Sequence, residues 1–204
     1  MAIVKPFKAV RASRDKVAMV SSKPYEIYTP EMRNAKLAFN PFTFLHVINP
    51  GYKYQKQNIF GELRFKLVHN RYLEFKEDKI FTQDKIPAFY IYQKNTATKS
   101  FCGIIAATSV ADYHNKVIKK HEGTLKKREL LFENYLKNTG FNAEPVLLTY
   151  PDNEEIDSII KKYKVQRPEY EFSTTDKDTH ILWVVNNAID IEKITTAFKE
   201  IDTL

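Results

Sequence analysis

The sequence predicts an α+β fold, a mixed β-sheet with flanking helices in a single globular unit. Three observations carry this expectation. Short runs rich in β-branched and aromatic residues recur along the chain, as at residues 88–93. Between them, apolar residues repeat at i, i+3, i+4 and i+7, the period of an amphipathic helix. The spacings fit both hairpins and longer crossovers, so strands and helices share one architecture.

Taken in order, Thr29-Pro30-Glu31 reads as a helix start, with Thr as N-cap, Pro at the first helical position and an acid next. Asn40-Pro41 stops that helix. Residues 42–48 are rich in β-formers and read as a buried strand that Asn49-Pro50-Gly51 ends. Residues 58–75 read as a helix, since Leu63, Leu67 and Val68 repeat at helical spacing among charges. Residues 88–93 and 100–110 read as paired strands around a turn at 94–99. A basic helix follows over about residues 125–136, with Gly140 as its stop. Residues 145–150 read as a further strand. Asp152 then reads as the cap of a helix, with Glu155 reaching back. That helix carries Ile156, Ile159, Ile160 and Tyr163 on one face. Residues 170–172 and 180–185 read as a hairpin around 174–178. A last helix begins at Asp190 and aligns Ile194, Ala197, Phe198 and Ile201.

With 43% hydrophobic and 13% aromatic residues, the 204-residue chain can bury a real core, so disorder is excluded. No apolar run approaches the roughly 20 residues that span a bilayer. The N-terminus lacks the apolar stretch of a signal peptide. The single cysteine, Cys102, lies in an apolar run and reads as a buried structural thiol. A cytoplasmic location and the absence of a membrane partner are the expectations. The formal charge of +7 favours anionic partners. Nucleic acid is not among them, because no zinc spacing, no aromatic box of the RNA-binding type and no recognition helix is evident.

The chemistry concentrates in Ile118-Lys119-Lys120-His121-Glu122-Gly123-Thr124, placed where a strand would hand over to the basic helix. Glu122 and His121 are the candidate catalytic acid–base pair. Glu122 reads equally as an acid that favours the dipole of the following helix, and His121 as a bonded loop residue. Lys119 and Lys120 are the candidate phosphate or anion contacts. In an extended segment only one of them faces a given site. Thr124 is an anion contact or the N-cap of the basic helix. Tyr25 is the candidate pocket-lining residue, or a core tyrosine with a bonded hydroxyl. His46 reads as a satisfied core histidine. His121-Glu122 lacks the second histidine of a zincin helix, since Leu125 stands four residues after His121. No metal ligands are therefore assigned.

Several segments, in order, resemble a bacterial and archaeal family known only as domain of unknown function 1015. They are Lys5-Pro6-Phe7-Lys8-Ala9-Val10-Arg11, Ser22-Lys23-Pro24-Tyr25-Glu26, Asn40-Pro41-Phe42-Thr43-Phe44-Leu45-His46-Val47, Pro87-Ala88-Phe89-Tyr90-Ile91-Tyr92, the 118–124 motif, and Pro145-Val146-Leu147-Leu148-Thr149-Tyr150. The resemblance implies that residues 1–204 are the N-terminal part of a longer family domain. Such proteins usually carry, soon after a segment like 194–204, an Ala-Asp-Gly-His-His-Arg type box that is similar to the phosphate-binding box of the ParB and sulfiredoxin superfamily. By that analogy the family handles a nucleotide or phosphorylated metabolite, with Mg as the accompanying ion, and phosphoryl transfer is the implied reaction. Two functional expectations follow. One is half of a cytoplasmic enzyme acting on a small anionic or phosphorylated ligand. The other is a non-catalytic binding or scaffold domain that docks an acidic partner through the basic helix.

Overall fold

Short β-rich runs and longer amphipathic runs alternate along the chain, and most settle into the element their pattern favours. The computed structural model describes residues 1–24, 27–49, 61–121, 123 and 125–204. In chain order the elements are β1 (Val4–Lys5), β2 (Val10–Ala12), α1 (Val17–Val20), α2 (Pro30–Phe39), α3 (Leu45–Ile48), α4 (Glu62–Glu77), β3 (Phe81–Gln83), β4 (Phe89–Asn95), β5 (Ser100–Ile105), β6 (Ala107–Thr108), α5 (Val110–His114), α6 (Lys126–Thr139), α7 (Glu154–Lys164), β7 (Tyr170–Ser173), β8 (Thr179–Val185) and α8 (Ala188–Lys199). The architecture is α+β. The chain forms two compact units: Met1–Val10 with Gln83–Glu122 and Pro145–Leu204, and Arg11–Thr82 with Gly123–Glu144.

The first unit is built on a four-stranded sheet of order β5-β4-β8-β7. Its pairings are all antiparallel, because two hairpins meet through β4 and β8. Directly opposed residues share a face. Phe89 opposes Val185 and Ile91 opposes Trp183, and these four point into the core. Onto that face pack Ile156, Ile159 and Tyr163 of α7, and Ile194, Ala197 and Phe198 of α8. β1 pairs with β6 beside them and places Ala2 and Val4 in the same core.

A buried polar clamp fixes α7 to α8. Asn187 caps α8, its Oδ1 accepting from the amides of Ile189 and Asp190. Asp190, 4% exposed, accepts from Lys162 Nζ at 2.9 and 2.8 Å and from the Tyr163 hydroxyl at 3.0 Å. Burial alone would raise the Asp190 carboxyl, but the bonds from Lys162 and Tyr163 outweigh it and hold it below the usual range. The Tyr163 hydroxyl is pushed up to about 12 by burial and by its bond to Asp190.

The second unit is mainly helical and includes most of the short β2–β3 pair. Thr29 caps α2 by accepting from the Met32 amide, with Pro30 opening the helix, as its sequence predicts. An aromatic cluster lies beneath α4 and α6. Phe141 stacks on Tyr72 at 4.5 Å and meets Phe44 and Tyr135 edge-on, while Phe75 packs on Phe81 at 5.3 Å. The Thr139 carbonyl is 2.7 Å from His69 Nδ1. Gly140 stops α6 in the left-handed region at φ 72°.

Several sequence expectations are corrected. Residues 42–48 do not form a strand. Asn40 Oδ1 accepts from the Phe42 amide, and Thr43 and His46 donate back to Asn40 and Thr43, so the chain turns into α3. Local Asx bonding there overrides β propensity. His46 is half-buried, and its Nε2 meets the Asn40 carbonyl at 3.1 Å. Burial, then Arg71, lowers its pKa. Residues 100–110 split into β5, β6 and the start of α5, where Ser109 caps the helix by accepting from Ala111. Residues 145–150 join no ladder. Pro145 and Pro151 bracket them without amide donors, and Val146 and Leu147 are 82% and 89% exposed. Asn153, not Asp152, caps α7 by accepting from Ile156. Glu155 pairs instead with Lys193 at 2.8 Å. The last helix begins at Ala188, two residues before Asp190. Cys102 is exposed on the edge strand β5 rather than buried, although local desolvation still pushes its thiol up.

Asp190→Asn should cost about 1–2 kcal/mol near neutral pH. The Asp190 carboxyl is depressed in the fold, so its contribution is complete above the ordinary aspartate range. It fades as pH falls through the depressed value. Urea melts of both proteins from neutral to acid pH should therefore converge. Gly140→Ala should cost about 1 kcal/mol in the same assay. The added methyl would meet only the His69 ring, at 3.8 Å, so the cost is conformational.

Candidate functional site

The backbone around the 118–124 motif is held from both sides. α5, not a strand, precedes it. The Asp112 carbonyl accepts from the amides of Val117 and Ile118 at 2.9 and 3.1 Å. Lys116 takes a left-handed φ of 61°, which turns the chain out of α5. Val117 and Lys119 then bond to Leu204: the Leu204 amide donates to Val117, and the Lys119 amide donates to the Leu204 carbonyl, both at 2.9 Å. Asp112 is buried, and its Oδ2 accepts from the Ile3 amide at 2.6 Å. The N-terminal segment and the motif thus converge on one residue of α5, the first on the Asp112 carboxylate and the second on its backbone carbonyl. Sequence reading passed over Asp112. Its signal was the Ser109-x-x-Asp112 spacing of a helix start.

From this backbone the side chains of Lys119, Lys120 and His121 emerge exposed. The Lys120 ammonium lies 4.7 Å over the Tyr113 ring, a cation–π contact. Glu122, Thr124 and Tyr25 lie outside the described residues. Of the six residues expected at a site, the described three are therefore neighbours in sequence on an exposed segment. His114 is exposed too, its ring edge-on to Tyr113 at 5.8 Å. Among the described residues, no group of three His, Cys, Asp or Glu side chains lies close enough to hold a metal ion.

The six cations between Lys116 and Arg128 are divided between the two units. Lys116, Lys119 and Lys120 lie in the first unit, and Lys126, Lys127 and Arg128 in the second. The second set opens α6. Leu125 occupies the N-cap position and makes no side-chain cap, and the Thr124 cap that the sequence suggests lies outside the described residues. Lys126, Lys127 and Arg128 are exposed and make no ion pair among the described residues. Farther along, Lys137 and Glu133 pair at 2.6 Å. Apolar side chains share this helix surface, with Leu125 and Leu130 72% and 66% exposed and Leu131 and Phe132 also exposed.

A second cluster lies on the outer face of the sheet. Tyr92, Lys94, Phe101, Gly103, Phe172, His180 and Leu182 alternate with the core residues and share that face. The Tyr92 hydroxyl is 2.6 Å from His180 Nδ1, and Lys94 pairs with Asp178 at 2.9 Å. Burial raises the Tyr92 hydroxyl, and burial, then Lys94, lowers the His180 imidazole. The sequence displays the alternation, but not the cross-strand register that assembles this group.

The family described as "Protein of unknown function (DUF1015)" matches residues 4–204. The chain belongs to this family. The DUF1015 match spans β1 to the last residue, so both units are family structure. No curated protein and no solved structure gave a match. No helix among the described residues of this DUF1015 chain is long and apolar enough to cross a membrane.

Proposed function

We propose that this DUF1015 chain is a non-catalytic binding domain that docks an acidic protein partner through α6. One observation carries the reading: three exposed cations that make no ion pair among the described residues occupy the first turn of α6, next to exposed leucines. A helix N-terminus carries partial positive charge and free amides, so Lys126, Lys127 and Arg128 add to an unfavourable field that Glu129 in the same turn offsets only in part. Their placement costs the isolated domain stability. Carboxylates from a partner would neutralise the side chains and cap the amides together. Leu125, Leu130, Leu131 and Phe132 offer apolar contact beside those charges, which suits an acidic amphipathic segment. The enzyme reading asks for His121 and its neighbouring lysines around one concave site. Lys119, Lys120 and His121 stand exposed on a surface segment, so that reading has less support.

Reversing all three charges (Lys126→Glu, Lys127→Glu, Arg128→Glu) should raise the stability of the free chain by about 1 kcal/mol. It should also abolish binding of a fluorescent amphipathic Glu/Leu peptide, read by anisotropy. Binding to the unaltered chain should weaken steeply with salt. Equal peptide binding by the reversed chain would overturn the docking reading. Phosphate-induced amide shifts clustered on Lys119 to His121 would move the enzyme reading ahead.

A further inference from the structure

We propose that β5, an edge strand of the four-stranded sheet, is the surface on which a second copy of this chain docks, the two β5 strands pairing antiparallel about a twofold axis at Cys102. The surface lies wholly within the first unit and does not depend on the docking role of α6.

The backbone comes first. β4 pairs with one side of β5, and no strand among the described residues pairs with the other. At the end of the hairpin the Thr96 amide donates to the Lys99 carbonyl at 2.8 Å, and the register carries alternation on from that pair. The backbone groups of Phe101, Gly103 and Ile105 therefore face β4, and those of Ser100, Cys102 and Ile104 face outward. Among the described residues these outward amides and carbonyls make no hydrogen bond. An unpaired row of this kind is a template for another strand.

The opposite edge of the sheet is guarded and this one is not. β7 has 4 residues, carries Glu171 and follows Pro168 and Glu169. Short length, charge and proline are the usual protection of an edge. β5 has 6 residues with no charge and no proline, and its Phe101 and Cys102 are exposed. Charge also selects the occupant. The chain carries +7, so two copies repel on most approaches and meet best on an uncharged strip. An acidic partner finds no cation to pair with along β5. The guarded β7 edges then end the assembly at two copies.

Self-pairing has one register that uses every outward group. With Cys102 opposite Cys102 of the second copy, Ser100 opposes Ile104 and Ile104 opposes Ser100, each as a hydrogen-bonded pair. Any shift that still joins outward groups loses at least one of these pairs. On the outer face the same register sets Phe101 of each copy opposite Gly103 of the other. Phe101 is 57% exposed, and a Cβ built on Gly103 meets nothing within 4 Å. The φ of Gly103 lies outside the left-handed region, so the local backbone does not demand glycine. An aromatic ring laid across a facing glycine supplies the packing that the glycine lacks. The exposed ring and the bare glycine are each unfavourable in a lone chain, and they complement one another twice across the axis. One strand pair is a small interface, so the dimer is weak and depends on concentration.

The test is a concentration series on the whole chain, from micromolar to millimolar, read by sedimentation and by amide resonances. Sedimentation should pass from monomer to dimer and stop there. The accompanying shifts should centre on the amides of Ser100, Cys102 and Ile104. Cys102→Pro removes the amide on the axis, which no bond to β4 uses, and it should weaken the dimer by about tenfold or more. Cys102→Ser keeps that amide and should dimerise like the unaltered chain. Gly103→Val fills the place of the facing Phe101, and it should weaken the dimer comparably while the melting temperature of the dilute monomer holds or rises. The chain reversed at Lys126, Lys127 and Arg128 should show the same shifts on dimerising, which separates this edge from the docking surface. A chain that stays monomeric at millimolar concentration, or a dimer untouched by Cys102→Pro and Gly103→Val, would overturn the proposal. If Cys102→Pro failed to fold, Gly103→Val and the shift map of the unaltered chain would still decide it.

Discussion

The first unit depends on β4 being enclosed. Phe89, Tyr90 and Ile91 are successive residues, and none is more than 2% exposed. Consecutive burial of this kind requires cover on both faces of the strand. On one face Phe89 and Ile91 meet the side chains of α7 and α8. On the other, Tyr90 is roofed by Phe7, and its hydroxyl also accepts from the Ala9 amide at 3.1 Å. Strands on both sides satisfy the β4 backbone, so burying it leaves no orphan amides. Each of the three side chains contributes roughly 1.5–3 kcal/mol on burial. Through β4 the hairpins are joined, the N-terminal segment is anchored, and Tyr92 is set in place at the exposed end of the same strand.

The second unit is held differently. Among its described residues aromatic rings do much of the packing, with Tyr72 in contact with both Phe81 and Phe141. α6 buries Thr139 and half-buries Tyr135, while most of its surface stays open. Exposed leucines beside cations that make no ion pair among the described residues are costly at a helix start, and they become favourable once covered by an acidic apolar segment. The two units thus offer different chemistry. The sheet presents Phe172 stacked on His180, which meets the Tyr92 hydroxyl, and the helical unit presents charge with apolar contact.

Much of the fold was legible because amphipathic period and turn chemistry act locally. Thr29-Pro30 opened α2, Gly140 ended α6, and the faces of α7 and α8 followed from their spacing. The errors share a cause. Residues 42–48 and 145–150 have strand composition, yet Asn40 bonding turned the first into α3 and flanking prolines left the second without a ladder. Composition does not reveal whether a partner strand is available. The family was readable from ordered short motifs across the chain, and it matches residues 4–204. The candidate site was less legible. The spacing of Lys119, Lys120 and His121 reveals neither their exposure nor the division of the basic run between two units. The role of Asp112 depends on Ile3, 109 residues away, and the row from Phe172 to Tyr92 depends on cross-strand register.

If β4 is the enclosed centre of its unit, its amides open last. Native-state hydrogen exchange of the whole chain tests this directly. The amides of Ile91 and Tyr92, with Leu182 and Trp183 on β8, should exchange only through global unfolding, at a free energy equal to that from urea melts. Those of α6 should exchange through a smaller, local opening. Exchange from Ile91 and Tyr92 as fast as from α6 would contradict the account, since β4 could not then be the strand on which the unit is assembled.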